Sequence, residues 1–186
     1  VPLRNWTHDL PAMAAAVTPR TKLVCVCSPN NPTGTANSAA ELEAFVRSLP
    51  DHVVVVIDEA YAEYLENPPD LKPLIRGGKN LICLRTFSKI HGLAALRVGY
   101  GYAGAELCGL LNRVRQPFNV NLPALAAAEA ALDDDAFVRR TREVNDAGIA
   151  QLSAGLKQLG FAYIDGKANF LAAQIPQAEE AFTTLQ

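Results

Sequence analysis

Three polar clusters stand directly after three apolar, β-rich runs of this sequence. Pro29-Asn30-Asn31-Pro32-Thr33-Gly34 follows residues 23–27, Asp58-Glu59-Ala60-Tyr61 ends residues 53–57, and Thr86-Phe87-Ser88-Lys89 follows residues 81–84. In an open α/β sheet the ligand crevice forms outside the carboxyl ends of the strands. Asn31, Asp58, Tyr61 and Lys89, far apart in the chain, are therefore expected to converge on one pocket. An amine, a carboxylate, a phenol and an amide together are the raw material of nucleophilic and acid–base chemistry. Singly, each has a plainer explanation: an Asp after a strand caps a turn, prolines and a glycine shape one, and a loop lysine is solvated. The conjunction of all three clusters at one sheet edge is what points to chemistry.

The elements that must position these residues are legible as patterns. The three runs are nearly continuous rather than alternating, which suits strands buried on both faces of a parallel sheet. Between the first two, Ser38-Ala39-Ala40-Glu41 forms a capping-box pattern, and Leu42, Phe45, Val46 and Leu49 then share one helical face before Pro50. Strand, helix and strand of these lengths make a βαβ unit. After residue 104 the pattern is helical, over 106–115, over the alanine-rich 122–132, and over a long helix that Asp133-Asp134-Asp135 caps and Gly160 stops. Residues 168–175 read as a strand, and another helix starts at Gln177. The expected architecture is α/β, a mostly parallel sheet with helices on both faces, followed by the start of a smaller α+β domain. The expected division is 1–145 for the large domain and 146–186 for the connecting helix and second domain.

Composition narrows the function classes. Of the 186 residues 49% are apolar and 19% charged, as in ordinary globular proteins, and the net charge of −2 offers no field to hold nucleic acid or an anionic membrane. No apolar run approaches the length of a membrane span. The start, Val1-Pro2-Leu3-Arg4, does not read as a signal peptide. Cys25, Cys27, Cys83 and Cys108 match no zinc spacing; they are expected to be reduced core residues, with Cys25 and Cys27 on one buried face, as in a cytoplasmic protein. His8 and His52 read as surface residues. No metal site is expected.

Read together, Asn31-Pro32-Thr33-Gly34, Asp58-x-Ala60-Tyr61, Ser88-Lys89 and Arg97 resemble the fold-type I, pyridoxal-phosphate (PLP) dependent aminotransferases of the class I/II family. The match runs in order over most of residues 1–132. Residues 85–99 (RTFSKIHGLAALRVG) and 116–121 (QPFNVN) are most similar to histidinol-phosphate aminotransferases. The resemblance implies that the amine of Lys89 condenses with the PLP aldehyde and, once displaced, moves a proton from the substrate Cα. It implies that Asp58 keeps the ring nitrogen protonated, since an opposite charge favours the cation. Asn31 and Tyr61 would bond the phenolic oxygen, Ala60 would pack on the ring, and Arg97, Thr86 and Ser88 would hold the phosphate, for which a guanidinium fork suits well. Asn169, in Lys167-Ala168-Asn169-Phe170-Leu171, is the candidate substrate contact.

The implied activity is transamination between histidinol phosphate and 2-oxoglutarate, or in reverse between imidazole-acetol phosphate and glutamate, in histidine biosynthesis, by a cytoplasmic homodimer. Amino-acid and keto-acid substrates follow from it. Other class I/II aminotransferases, a PLP-dependent phospho-amino-acid decarboxylase and a non-catalytic binding module are the alternatives. Family members are about twice this length, so the resemblance also implies further parts of the site, and a chain inactive by itself. One motif competes. Gly99-Tyr100-Gly101-Tyr102-Ala103-Gly104 matches the dinucleotide fingerprint G-x-G-x-x-G, but no strand with a terminal acid follows it, and a glycine-rich strand of closely approaching backbones is the expectation.

Overall fold

The computed structural model describes all 186 residues. The chain opens with a hairpin, β1 (Leu3–Arg4) and β2 (Thr7–His8), whose two-residue turn Asn5-Trp6 has both φ values positive, as a type I′ turn requires. α1 (Leu10–Ala15) follows, capped by Asp9, and then β3 (Leu23–Cys27), α2 (Ala39–Ser48), β4 (Val54–Asp58), α3 (Lys72–Arg76), β5 (Leu81–Thr86) and β6 (Gly99–Ala103). The second half is α4 (Ala105–Val114), α5 (Leu122–Leu132), α6 (Asp135–Gln158), the short pair β7 (Tyr163–Ile164) and β8 (Ala172–Ala173), and α7 (Ala178–Leu185). No helix is long and apolar enough to cross a membrane.

The central sheet has the order β3-β4-β5-β6, with the first two pairings parallel and the last antiparallel. It is the mixed, mostly parallel α/β sheet that the sequence pattern indicates. The capping box on α2 is formed, Ser38 Oγ accepting from the Glu41 N–H at 3.2 Å and the Ser38 N–H donating to Glu41 Oε2 at 2.7 Å. The main core lies under α1, α2 and α3, where Leu42, Phe45, Val46 and Leu74 meet Val26, Val55, Ile57, Leu81 and Cys83 of the sheet.

Four expectations need correction. The strands are not buried on both faces: in β4, Val55 and Ile57 are buried while Val54 and Val56 are only half-buried, and on their side Leu23, Cys25 and Leu84 are exposed. α1, α2 and α3 lie on the Val55 side, so the apolar runs report strand propensity there and not two-sided burial. Cys25 and Cys27 do share a face, but it is this open one; of the four free cysteines only Cys83 is fully buried, and burial pushes its thiol up to about 12. Finally, the strand expected over 168–175 shrinks to β8. Ahead of it the backbone is drawn to the turn at Gly34, with the Lys167 N–H donating to the Gly34 carbonyl at 2.6 Å. His8 is half-buried, accepting a 3.4 Å bond from the Cys27 N–H, whereas His52 is exposed as expected.

The glycine-rich motif lies on β6, the antiparallel strand, as the close-packing explanation requires. A Cβ on Gly99 would stand 2.7 Å from the Arg85 carbonyl oxygen, and one on Gly101 would meet the Leu84 and Ile82 side chains. Gly99→Ala is therefore expected to cost about 1–3 kcal/mol, as other forced overpacking does. A thermal melt of the variant checks it, and an unchanged midpoint would show that the backbone approach at Gly99 does not require glycine.

Candidate active site

The carboxyl ends of β3, β4 and β5 come together as the parallel register dictates. Cys27 is level with Asp58, and Asp58 with Leu84. Around these ends lies a cavity of about 410 Å³ lined by Cys27, Asn31, Asp58, Ala60, Tyr61, Thr86, Ser88, Lys89 and Arg97, with Leu84 and Arg85 completing the wall. All eight residues read from the sequence as cofactor-binding stand on this one cavity. Asn169 does not. Its side chain is exposed and outside the wall, although its neighbours Ala168 and Phe170 pack against Tyr61.

Each functional side chain is presented by buried neighbours. Lys89 and Ser88 lie between Phe87, 4% exposed, and Ile90, fully buried, so the turn after β5 is pinned on both sides while its polar residues face the cavity. The Ser88 N–H donates to Thr86 Oγ1 at 3.0 Å, which closes this turn. Lys89 Nζ stands 5.1 Å from the centroid of the Tyr61 ring, a cation over a π face. Tyr61 is itself buried, with Phe170 edge-on at 5.2 Å, and its hydroxyl accepts a 3.2 Å bond from the Asn31 amide. Asp58 receives the Ala60 N–H at 3.0 Å. Arg97 adopts a left-handed backbone, φ 55°, a conformation that costs a non-glycine residue about 1 kcal/mol. Its guanidinium turns back to donate to Ser88 Oγ at 3.4 Å and to the Ala94 carbonyl at 2.8 Å.

The turn after β3 divides its two asparagines. Asn30 is buried and bonds within the turn, its amide donating to Thr33 Oγ1 at 2.8 Å, while Asn31 is left to reach Tyr61. Gly34 closes this turn with φ +73°, and a Cβ there would stand 2.9 Å from the Gly166 Cα. Only glycine meets both conditions.

Sequence reasoning missed Cys27, Leu84 and Arg85 as wall residues. The pleat held the signal for the first two, since Cys27 and Leu84 are level with Asp58 in adjacent strands and so share its face. It also missed a charged group behind the cavity. Glu59, 1% exposed, accepts from Arg85 Nε and from the Tyr102 hydroxyl, each at 2.8 Å. Burial alone would lower the Arg85 pKa, but the bond to Glu59 and its charge outweigh that and hold it above the ordinary value; Tyr102 is raised by burial and by the same carboxylate. Glu63, beside Arg85, is raised by burial.

An amine, a carboxylate, an amide–phenol pair and a guanidinium with hydroxyls, disposed around one cavity, match the donor set of the resemblance described above. The whole chain, residues 1–186, matches the family described as aminotransferase class I and II. The chain belongs to that family. It is 52% identical over its whole length to the histidinol-phosphate aminotransferase of Moorella thermoacetica, covering 49% of that protein, and 46% identical to the one from Brevibacillus brevis, covering 52%. The chain thus spans about half the length of the curated relatives it matches. Among solved structures, histidinol-phosphate aminotransferase from Sinorhizobium meliloti in complex with pyridoxal-5′-phosphate superposes with a TM-score of 0.88 at 31% identity, over 93% of this chain and 48% of that one. Aspartate aminotransferase from Thermus thermophilus with maleate gives 0.78 at 27% identity, over 89% and 45%.

His91, two residues beyond Lys89, stacks on Phe87 at 5.1 Å, and its Nδ1 is buried without a partner. Burial holds its pKa below the ordinary 6.5. Between that lowered value and 6.5 the unfolded chain binds a proton that the folded chain resists, so stability falls as pH drops through this window. His91→Phe keeps the aromatic packing and removes the titration. Melting measured in steps from neutral to mildly acid pH should show a shallower loss in the variant; parallel losses would place His91 in contact with water.

Proposed function

We propose that the protein is a PLP-dependent aminotransferase of histidine biosynthesis, exchanging the amino group between histidinol phosphate and 2-oxoglutarate, or in reverse between imidazole-acetol phosphate and glutamate. The observation that carries the reading is the convergence of Lys89, Asp58, the Asn31–Tyr61 pair and Arg97 on one cavity. The histidine-pathway substrates are supported by relatives of that name at about half identity over the full chain.

The donor set offers a partner for each polar part of the cofactor. Arg97, Ser88 and Thr86 cluster at one part of the wall, with a guanidinium and two hydroxyls for a phosphate, while the carboxylate and the amide–phenol pair belong to other strand ends. When bound, PLP supplies an aldehyde for attachment and a ring that takes up electrons. Lys89 would hold the cofactor through its Nζ, and the same amine, when free, would move the proton of the substrate Cα. The Asp58 carboxylate would keep the ring nitrogen protonated, because an opposite charge at short range favours the cation. The Asn31 amide donates to the Tyr61 hydroxyl, which would leave the phenol proton free for the cofactor's ring oxygen. Ala60, without a polar group, would leave room on the cavity wall for the ring face. Asn169, exposed and outside the wall, is proposed for the substrate side on the resemblance alone.

The domain division proposed is 1–145 and 146–186; α6 runs unbroken through this point and joins the two parts. A homodimer is supported by the apolar side chains of Val114, Phe118 and Leu122, each more than three-quarters exposed around residues 116–121. Four free cysteines favour a reducing, cytoplasmic setting.

Borohydride reduction of the PLP-loaded protein followed by peptide mapping should place the pyridoxyl label on Lys89, and a label on Lys22, Lys72 or Lys79 would refute the assignment. Asp58→Asn should remain folded and lose at least about 100-fold in turnover, since an amide cannot stabilise the ring charge. Near-wild-type turnover would make Asp58 a turn residue. Assays with glutamate and imidazole-acetol phosphate, run beside a phospho-amino acid with release of carbon dioxide as the readout, separate transfer from decarboxylation.

A further inference from the structure

The charged group behind the cavity has no part in the chemistry assigned above, yet it connects the ends of β4 and β5, which carry Asp58 and Lys89, with β6 and α6. Asp58 and Glu59 are successive residues at the end of β4, so their side chains leave on opposite sides. Asp58 lines the cavity; the Glu59 side chain, 2% exposed, points behind it. There its Oε2 binds Arg85 Nε at the end of β5 and the Tyr102 hydroxyl of β6, while its Oε1 is buried with no partner. Arg85 Nη1 also donates to Glu63 Oε1 at 3.3 Å, in the single turn that follows Tyr61. The Glu63 carbonyl in turn accepts two bonds from the Arg142 guanidinium of α6, at 3.0 and 2.6 Å.

A bare need for stability does not explain this choice. Replacing a buried ion pair with well-packed apolar residues is often neutral or stabilising, because both charges lose their hydration. A planar guanidinium bonded to a carboxylate does something that an apolar contact does not: it fixes direction as well as distance. The two strand ends joined in this way carry Asp58 on β4 and Thr86, Ser88 and Lys89 on and just after β5. We infer that Glu59 and Arg85 are positioning residues, whose ion pair sets the separation of the β4 and β5 ends and so the placing of the Asp58 carboxylate relative to the Lys89 amine. This rests on the PLP reading of the cavity, through Asp58.

The test uses the intact protein in four forms: wild type, Glu59→Gln, Asp58→Asn and the double variant, with Tyr102→Phe as a milder probe of the same carboxylate. PLP affinity is read by titrating its visible absorbance, kcat and KM are read separately, and melting reports the fold. Glu59→Gln should weaken PLP binding roughly tenfold, the scale of one charge-assisted bond, and lower kcat more than it raises KM. Tyr102→Phe should move both in the same direction by less. On the Asp58→Asn background, Glu59→Gln should add little, because the two changes act through one contact. If Glu59→Gln binds PLP like wild type while Asp58→Asn does not, Glu59 is a brace of the fold only and the inference is overturned. Full additivity of the two changes overturns it as well. If Asp58→Asn itself leaves binding unchanged, the reading of the cavity fails, and this inference with it. Should Glu59→Gln not fold, Tyr102→Phe decides: a folded variant with unaltered PLP affinity overturns the proposal.

Discussion

Asp58 reaches the cavity only because β4 lies in one register between β3 and β5. In that register Cys27, Asp58 and Leu84 are level and face the same way. A slip of one residue would turn every side chain of β4 over, placing Glu59 in the cavity and Asp58 among the core residues behind it. The register is held where burial is most complete. Val55 and Ile57 of β4 lie in the core with Val26 of β3 and Leu81 and Cys83 of β5, all between 0 and 2% exposed. A slip would expose this face and bury the half-open one, so the apolar core under α1, α2 and α3 selects which acid of the Asp58-Glu59 pair does chemistry.

The loops repeat the same division of labour at smaller scale. Phe87 and Ile90 are buried on either side of Ser88 and Lys89, Asn30 bonds inside its turn while Asn31 reaches out of it, and Glu59 is tied down while Asp58 is presented. In each case one residue spends its interactions on the fold, and its neighbour is left to a ligand. The anchored members are also what hold the unusual backbone: the Arg97 turn, with its left-handed φ, is followed by buried Val98, which packs with Phe87 against α5. Strain of about 1 kcal/mol at Arg97 is sustained by that packing.

Much of this is legible in the sequence. Apolar runs marked the central strands to within a residue or two, Ser38 and Glu41 marked the start of α2, and three polar clusters at strand ends marked the cavity. What stayed hidden depends on partners distant in sequence. Whether a strand is covered on one face or two is decided by where helices land, which is why Leu23 and Cys25 looked like core and are exposed. The Glu59–Arg85–Tyr102 group joins residues from three strands, and nothing local distinguishes Glu59 from a solvated acid. The two-residue strand β8 has the propensity of a longer one, but its neighbours are held by the Gly34 turn and cannot extend the pairing with β7. β1 and β2 are too short for any periodicity, and the positive φ of Trp6 runs against the habit of a bulky residue.

The contact between Gly34 and Gly166 gives the shortening of β8 a functional meaning. Two glycines let two backbones approach to where any side chain would clash, and the Lys167 N–H bonds the Gly34 carbonyl across the gap. The turn that aims Asn31 is thereby tied to the segment that brings Ala168 and Phe170 against Tyr61. Tyr61 is consequently fixed twice by parts of the chain more than a hundred residues apart, its hydroxyl by Asn31 and its ring by Phe170. Had residues 168–175 formed the longer strand that their composition favours, the backbone would run straight past the turn at Gly34. Regular structure is given up at the point where irregular backbone can hold the phenol that faces Lys89.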